Sequence, residues 1–218
     1  MTFSIVGWCP ETGQLGVAIC SSLMAVAGRC AFARGGTGAV VVQNYADPRL
    51  GHHALDLLAG GYRPDGVIKA LERSEDCFEY RQFALINGEG NTAVYDGTHP
   101  VGLHGTAQGR HCAALGNRLA DPGLPAAMVA AFASARGELA DKLLAALHAA
   151  AAGGGETVPL HAAGLLVVES QAWPLADLRV DWSEDGPVAE LERLWRRWRP
   201  QMRDYLTRAL DPSTIADA

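Results

Sequence analysis

The sequence predicts an α+β fold in which two antiparallel sheets carry helices on their outer faces. Segments with strand character occur in clusters, and pairs of helical segments separate the clusters. Parallel βαβ units would instead require strands and helices to alternate one by one. The chain has 218 residues, of which 49% are hydrophobic. That is enough apolar material for one large domain with a substantial core.

The N-terminal part of the chain is predicted to form a hairpin and then a buried strand. Residues 2–8 alternate in hydrophobicity and end at a turn signal in residues 10–13. Residues 14–22 follow as the second strand. A flexible loop at 35–38 leads into residues 39–44, whose continuous apolar run is typical of a strand buried on both faces.

The middle of the chain is predicted to hold two helices and then several strands. Residues 52–58 end at a Gly-Gly pair, and residues 64–73 begin with proline, which are helix-stop and helix-start signals. Residues 81–86 and 91–96 form strands on either side of an Asn-Gly turn. One or two further strands are expected within residues 102–115.

A second pair of helices and a second pair of strands follow. Residues 124–135 and 138–152 are rich in alanine, and the second segment has leucine at four-residue spacing. The strands are predicted at 163–169 and 178–181.

The C-terminal part of the chain is predicted to be a helix followed by a tail. The helix covers residue 187 to about 199, and Pro200 is expected to kink or interrupt it before 205–210. We expect residues 1–211 to form a single domain and residues 212–218 to be a flexible tail.

Composition excludes several classes of function. The net charge is −6, which argues against nucleic acid or an anionic membrane surface as the main partner. No apolar run is long enough to span a bilayer, and the N-terminus does not resemble a signal peptide. The five scattered cysteines suit a reducing cytoplasm. The histidines match no metal-ligand spacing, so we expect no bound metal. We expect no organic cofactor either.

Thr2 is the strongest candidate for a catalytic residue. It follows Met1 directly and is small enough for Met1 to be trimmed during synthesis. Trimming would leave a threonine with both a hydroxyl and a free α-amine, and the amine can serve as general base for attack by the hydroxyl. An α-amine titrates near roughly 7.7–8.0, so part of it is neutral at cytosolic pH. The alternative is a half-buried strand residue chosen for its β propensity.

The opening strand, its turn and the next strand together resemble the bacterial domain-of-unknown-function family ten-twenty-eight, which is assigned to the Ntn-hydrolase-like superfamily. The segments that carry the resemblance are 2–6, 10–13, 15–18, 38–43, 47–51, 55–61, 81–82, 116–119, 179–181 and 187–191. The resemblance implies a four-layer αββα sandwich with Thr2 at the end of a buried strand. It also implies hydrolysis of an amide or related C–N bond through an acyl-enzyme intermediate.

The sequence departs from the family pattern at two places. After the late Gly-Gly pair, Glu156 keeps the expected carboxylate, but Val158 stands where members usually carry arginine. The second strand ends Ser21-Ser22, without the cationic residue that usually follows the serine. An arginine can clamp a carboxylate with two hydrogen bonds, so its loss indicates either a changed substrate or lost activity.

Three further polar residues are candidates for a part in catalysis. Ser4 shares a sheet face with Thr2 and could bond its amine, or satisfy a buried backbone group instead. Gln43 and Asn117 are candidate donors to the oxyanion of the reaction. Either could equally be an ordinary polar residue that holds a strand end or a turn.

Five residues are predicted to contact the substrate: Asn44, Asp47, Arg81, Glu156 and His161. Asn44 could bond a substrate amide, and Arg81 could clamp a carboxylate or pair with a buried acid. Asp47 is equally explained as a turn residue before proline. Glu156 and His161 flank the altered loop, where His161 could shuttle protons or simply be packed.

The sequence therefore favours a cytoplasmic hydrolase of a small amide or cyclic amide-like substrate, with Thr2 as nucleophile. The alternative is a non-catalytic relative that keeps the fold and binds a small molecule. Trp195 and Trp198 lie at helical spacing in the last helix. They are explained by core packing or by a subunit interface, and we expect a homodimer.

Overall fold

The computed structural model describes residues 2–214, which fold into ten strands and six α-helices with two short 3₁₀ turns. The strands are β1 (Thr2–Trp8), β2 (Leu15–Ser21), β3 (Ala31–Arg34), β4 (Gly38–Asn44), β5 (Arg81–Asn87), β6 (Thr92–Asp96), β7 (Gly105–Gly109), β8 (Cys112–Asn117), β9 (Ala162–Val168) and β10 (Ala176–Val180). The helices are α1 (Ala27–Cys30), α2 (Pro48–Ala59), α3 (Pro64–Ser74), α4 (Leu124–Ser134), α5 (Leu139–Ala152) and α6 (Pro187–Leu210).

The larger sheet has six strands in the order β10-β9-β2-β1-β8-β7. All of its pairings are antiparallel, so β1 lies in the interior with β2 on one side and β8 on the other. Thr2 is opposite Ser21 in β2 and Asn117 in β8. The first residue of β1 is therefore held between two neighbours that are themselves the last residues of their strands.

The smaller sheet has four strands in the order β3-β4-β5-β6, again all antiparallel. Gln43 in β4 is opposite Gln82 in β5, and Gln82 is opposite Asp96 in β6. Three polar residues thus lie in one row across a sheet whose interior positions are otherwise apolar.

Three apolar cores hold the layers together. Residues of α4, α5 and α6 pack on one face of the six-stranded sheet, as Leu143 and Trp195 do. Val6, Val17 and residues of the facing strands form the core between the two sheets. Helices α2 and α3 cover the outer face of the four-stranded sheet. The layers follow the order helices, sheet, sheet, helices, which confirms the predicted α+β sandwich.

Two short elements were not expected from the sequence. Helix α1 and strand β3 have four residues each, and they occupy the alanine-containing stretch before the glycine-rich loop. Strand β3 is at the edge of its sheet and pairs only with β4. Because each element is so short, its structure depends on packing against its neighbours and leaves little periodic signal.

The prediction that Pro200 interrupts the last helix was wrong. Helix α6 continues from Pro187 to Leu210 with Pro200 inside it. Trp195 and Met202 are both buried, on either side of the proline. Tertiary packing of this apolar stripe offsets the hydrogen bond that proline removes.

The end of the chain is described only in part. Residues 212–214 form a short 3₁₀ turn, and residues 215–218 of the predicted tail lie outside the described range, as does Met1. The single-domain assignment of 1–211 stays a prediction. Within residues 2–214, every helix is too short or too polar to serve as a membrane span.

Leu85 offers a test of the outer core. It is a residue of β5 and is fully buried in the core that α2 and α3 form with the four-stranded sheet. Leu85→Ala should lower the free energy of unfolding by about 2–5 kcal/mol, since it removes buried methyl groups and leaves a cavity. The matched control is Leu210→Ala at an exposed position of α6, which should change it by less than about 0.5 kcal/mol. Equal losses in urea unfolding would contradict the assigned core.

Candidate functional site

The side chain of Thr2 lies between the two sheets, at one end of the sandwich. Phe3 and Ile5 pack towards the helices of the larger sheet, whereas Val6 belongs to the core between the sheets. Successive residues of a strand face opposite sides, so Thr2 and Ser4 share the inner face with Val6. Thr2 is only 3% exposed, and its hydroxyl donates a hydrogen bond to Ser21 Oγ at 3.3 Å.

The backbone nitrogen of Thr2 is directed towards β8. The N–H of Trp8, an even-numbered residue of β1, donates to the carbonyl of His111 beside β8. Backbone groups of alternate residues point to the same side of a strand. The nitrogen of Thr2 is therefore directed towards the backbone carbonyl of its partner Asn117, and the side chains of the two paired residues share the inner face.

Next to Thr2, a buried network of amide side chains joins the two sheets. The hydroxyl of Ser4 donates to Gln43 Oε1 at 2.6 Å. The side-chain nitrogen of Gln43 donates to the carbonyl of Thr2 and to Gln82 Oε1, each at 3.1 Å. Asn117 Nδ2 donates to the same Gln82 oxygen at 2.8 Å. Ser4, Gln43, Gln82 and Asn117 are all fully buried.

The direction of these hydrogen bonds is fixed by groups that can only accept. Gln82 Nε2 donates to the carboxylate of Asp96 at 2.8 Å and to the carbonyl of Gly116 at 3.1 Å. With its nitrogen committed, Gln82 can only accept through its oxygen, so Gln43 and Asn117 must both donate to it. Asp96 is in turn bonded to His104 Nδ1 at the surface, at 2.6 Å.

One atom of this network has no partner among the described residues. Asn117 Oδ1 is buried and accepts no hydrogen bond. A buried acceptor left unsatisfied costs about 1–3 kcal/mol, so such an atom in a native protein calls for an explanation. It belongs to the residue that is paired with Thr2 across the sheet.

Glu156 lies at the same end of the sandwich. Its segment bridges to Leu119 just beyond β8. Both of its carboxylate oxygens accept hydrogen bonds from Ser22, from the backbone N–H at 3.0 Å and the hydroxyl at 2.7 Å. Burial raises the pKa of the Glu156 carboxyl above its ordinary value, and the bonds from Ser22 offset this only in part.

His161 supports the end of β2 through its backbone. Its N–H donates to the carbonyl of Ser21 at 2.9 Å. Its ring stacks on Trp182 with the centroids 4.1 Å apart, and Nδ1 bonds the carbonyl of Ser183 at 2.9 Å. Nδ1 of His161, a residue predicted as a possible proton shuttle, is thus hydrogen-bonded to the neighbouring loop.

Asn44 and Arg81 lie away from Thr2. Each follows or precedes a glutamine of the network, so alternation places it on the outer face of the smaller sheet. The side chain of Asn44 bonds the carbonyls of Tyr80 and His99 and the N–H of Val101. Arg81 bonds the carbonyl of Tyr45, and its buried Nε has no partner among the described residues.

Asp47 acts as the N-cap of α2. Its carboxylate accepts from the backbone N–H of Arg49 at 3.0 Å and from the guanidinium of the same residue at 2.6 Å. The hydrogen bond from the Arg49 side chain lowers the pKa of the Asp47 carboxyl. Capping of the helix therefore explains why a carboxylate is present at this position, without invoking a ligand.

Three residues of the site were missed in the sequence: Ser21, Gln82 and Asp96. For Gln82 there was a weak sign in the sequence, because glutamine is mostly an exposed residue and is unusual inside an apolar strand. Asp96 ends a predicted strand and has no local sign that it faces a buried amide. Pairing across strands, which the sequence does not reveal, brings these residues together.

A separate groove of about 280 Å³ lies between β3 and β10. Its two arginines are already paired, Arg34 with Asp56 and Arg179 with Asp177, both within 2.8 Å. Its charges are therefore balanced, and nothing in the lining matches the chemistry at Thr2. Among residues 2–214, no group of three or more His, Cys, Asp or Glu side chains is placed to hold a metal ion.

Fold and site together define an αββα sandwich with a buried polar site at the start of an interior strand. The sequence matches the family model described as a family of unknown function, DUF1028, over residues 2–191, and the chain belongs to this family. The family resemblance predicted from the sequence is therefore confirmed.

A solved structure of the same family agrees with this assignment. The crystal structure of protein SPO2555 from Silicibacter pomeroyi, itself assigned to DUF1028, is 30% identical and has a TM-score of 0.82, covering 90% of this chain and 88% of that chain. Anbu (ancestral beta-subunit) from Yersinia bercovieri is 11% identical with a TM-score of 0.40, over 99% of each chain. A likeness of that extent supports no conclusion about this chain. Among curated proteins, none matches the sequence.

Gln82 should be essential to the stability of the network. Gln82→Leu would remove the donor to Asp96 and Gly116 and the acceptor shared by Gln43 and Asn117. We expect the free energy of unfolding to fall by about 2–4 kcal/mol, since several buried groups lose their partners. Gln201→Leu on the exposed face of α6 is the control and should change it by less than about 0.5 kcal/mol. A similar effect of both substitutions on urea unfolding would refute the assigned role.

Glu156 should make stability depend on pH. Because its folded pKa is raised above the ordinary 4.5, its contribution is fully present below that value and is lost as pH rises through the raised pKa. Glu156→Gln replaces the titrating carboxyl group with a neutral amide, so the variant lacks this dependence on pH. The unfolding free energy of the wild type relative to this variant should therefore fall as pH is raised from about 4.5 towards neutral. A difference that is constant or grows with pH in urea titrations would show that burial does not dominate.

Proposed function

We propose that this chain is a hydrolase that cleaves a small amide or cyclic amide-like C–N bond with Thr2 as an N-terminal nucleophile. The observation that carries the proposal is the surroundings of Thr2. Thr2 is paired with Asn117 across the sheet, the two side chains share the inner face, and Asn117 Oδ1 is a buried acceptor without a partner among the described residues. A free α-amine on Thr2 would supply the missing donor.

Removal of whatever precedes Thr2, which is Met1 in this sequence, is the first requirement. It would convert the amide nitrogen of Thr2 into an amine that can accept a proton. In the proposal, Asn117 Oδ1 then accepts a hydrogen bond from the amine and orients its lone pair towards the hydroxyl.

The chemistry proceeds in two steps. Thr2 Oγ1 attacks the carbonyl carbon while its proton passes to the α-amine, and the resulting ammonium then protonates the departing nitrogen as the C–N bond breaks. Water attacks the acyl ester with the amine again as base, which releases the acid and regenerates the hydroxyl. Atoms and protons balance without any co-reactant besides water.

The network residues have different parts in this proposal. Both N–H bonds of the Gln43 amide are used, one to the carbonyl of Thr2 and one to Gln82, so Gln43 serves as support. Asn117 Nδ2 has one N–H bonded to Gln82 and a second that can donate to the oxyanion. Ser4 holds Gln43 in place through its hydroxyl.

The alternative is a non-catalytic member that binds a small molecule. The burial of Thr2 and the hydrogen bond that occupies its hydroxyl favour this alternative. A binding protein would need neither the free amine nor the hydroxyl, so processing and substitution at Thr2 separate the two.

The cellular context is also a proposal. All five cysteines are free thiols, which supports a cytoplasmic location. A homodimer stays a prediction. Trp195 is buried within the chain against Asp141, and Trp198 bonds the carbonyl of Leu175, so both are already used inside one molecule.

Thr2→Ala tests the nucleophile. Protein purified from its own cytoplasm should have lost the mass of Met1, and an electrophilic acyl probe should add one adduct that maps to Thr2. Thr2→Ala should abolish the adduct because the attacking oxygen is gone, whereas Thr2→Ser should retain it. The control is Thr12→Ala, in the exposed β1–β2 turn. Retention of Met1 with no adduct on intact mass spectrometry would move the assignment to the binding protein.

A further inference from the structure

Arg118 directly follows Asn117 and has an unusual backbone conformation. Its φ is 50°, in the left-handed region that residues with a side chain seldom adopt. The conformation is held on both sides. The N–H of Arg118 donates to the carbonyl of Val101 at 2.6 Å, and its carbonyl accepts from Thr157 at 3.1 Å. Strained residues that the surrounding structure maintains in this way cluster at functional sites.

Arg118 is a half-buried residue, and no carboxylate of the described residues is within ion-pair distance of its guanidinium. Only three of the described lysine and arginine side chains are half-buried, namely Arg81, Arg118 and Lys142, and none of the three has an ion pair within 4.0 Å. Every cation that is paired with a carboxylate is exposed. Arg118 makes no side-chain hydrogen bond to the described residues, whereas Arg81 bonds the carbonyl of Tyr45.

Glu156 is a carboxylate on which the charge of Arg118 acts, but the two side chains do not form an ion pair within 4.0 Å. The charge of Arg118 acts on Glu156 from a distance and lowers its pKa slightly against the effect of burial. Both Glu156 oxygens are bonded to Ser22. The N–H donors of the Arg118 guanidinium therefore have no partner among the described residues, and a ligand carboxylate would supply acceptors for them.

We propose that Arg118 binds a carboxylate of the substrate, so that the substrate class is an amide with a carboxylate close to the scissile C–N bond, such as an N-acylated amino acid. The guanidinium matches a carboxylate with two parallel hydrogen bonds. Arg118 adjoins Asn117, the partner of Thr2, and its charge acts on Glu156, which is bonded to Ser22 just beyond the end of β2. A carboxylate bound by Arg118 would therefore lie at the same end of the sandwich as the reacting groups. This inference rests on the proposed function, because it assumes that the reaction takes place at Thr2.

The variants follow from the backbone conformation. Arg118→Asn removes the charge and should fold, because asparagine tolerates positive φ better than most residues. Arg118→Lys keeps the charge but lacks the forked geometry. Arg110→Asn is the matched control, since Arg110 is an exposed cation in the β7–β8 turn at the opposite end of β8.

The experiment compares two activated aryl esters of glutaric acid, one with a free carboxylate and one with that carboxylate as its methyl ester. The rate of Thr2 acylation is followed by intact mass. Wild type and Arg110→Asn should favour the free carboxylate by about 10-fold to 100-fold, as expected for a charge-assisted hydrogen bond. Arg118→Asn should lose this preference, and Arg118→Lys should keep part of it. Equal rates in the wild type, or an unchanged preference in Arg118→Asn, would overturn the proposal while leaving Thr2 as nucleophile.

A binding measurement separates this proposal from the proposed function. Calorimetry of glutarate with the Thr2→Ala protein needs no nucleophile. Binding that is lost on adding Arg118→Asn supports carboxylate recognition even if no probe acylates Thr2. Absence of binding, or binding that persists without the guanidinium, refutes it.

Discussion

The site depends on hydrogen bonds whose direction cannot be reversed. The carbonyls of Thr2 and Gly116 and the carboxylate of Asp96 can only accept, so Gln43 and Gln82 must present their nitrogens to them. Asn117 is then obliged to donate to Gln82, and its oxygen is left over beside Thr2. An acceptor with no partner among residues 2–214 is thus a consequence of the whole network, and in the proposed function a free α-amine of Thr2 is its donor.

The fold brings this chemistry to one end of the sandwich. Strand β1 starts where β2 and β8 end, and the facing strands β4 and β5 place two glutamines over the same spot. The loops around it are joined by backbone hydrogen bonds, as between Ser21 and His161 and between Arg118 and Val101. A rigid frame of this kind can hold reacting groups in place, and it can also maintain a strained residue such as Arg118.

Local patterns in the sequence were sufficient for the layers but not for the network. Alternation and turn residues predicted β1, β2 and β4 closely, because each is a long and strongly patterned strand. Thr2 was found from its position directly behind Met1, Gln43 as a polar residue at the end of a buried strand, and Asn117 as a possible turn or oxyanion residue after Gly116. Asp96 and Arg118 were missed, because their importance comes from cross-strand register and from a backbone angle, which no local pattern encodes. Pro200 was misjudged for the related reason that buried contacts on both sides of it stabilise α6.

The most direct test of the central claim is a high-resolution crystal structure of the chain after removal of Met1. The account predicts that the α-amine of Thr2 lies within about 3.2 Å of Asn117 Oδ1 and within reach of its own hydroxyl. It would be contradicted if the amine were directed away from Asn117, or if the Asn117 oxygen were satisfied by another group while the amine contacted solvent alone.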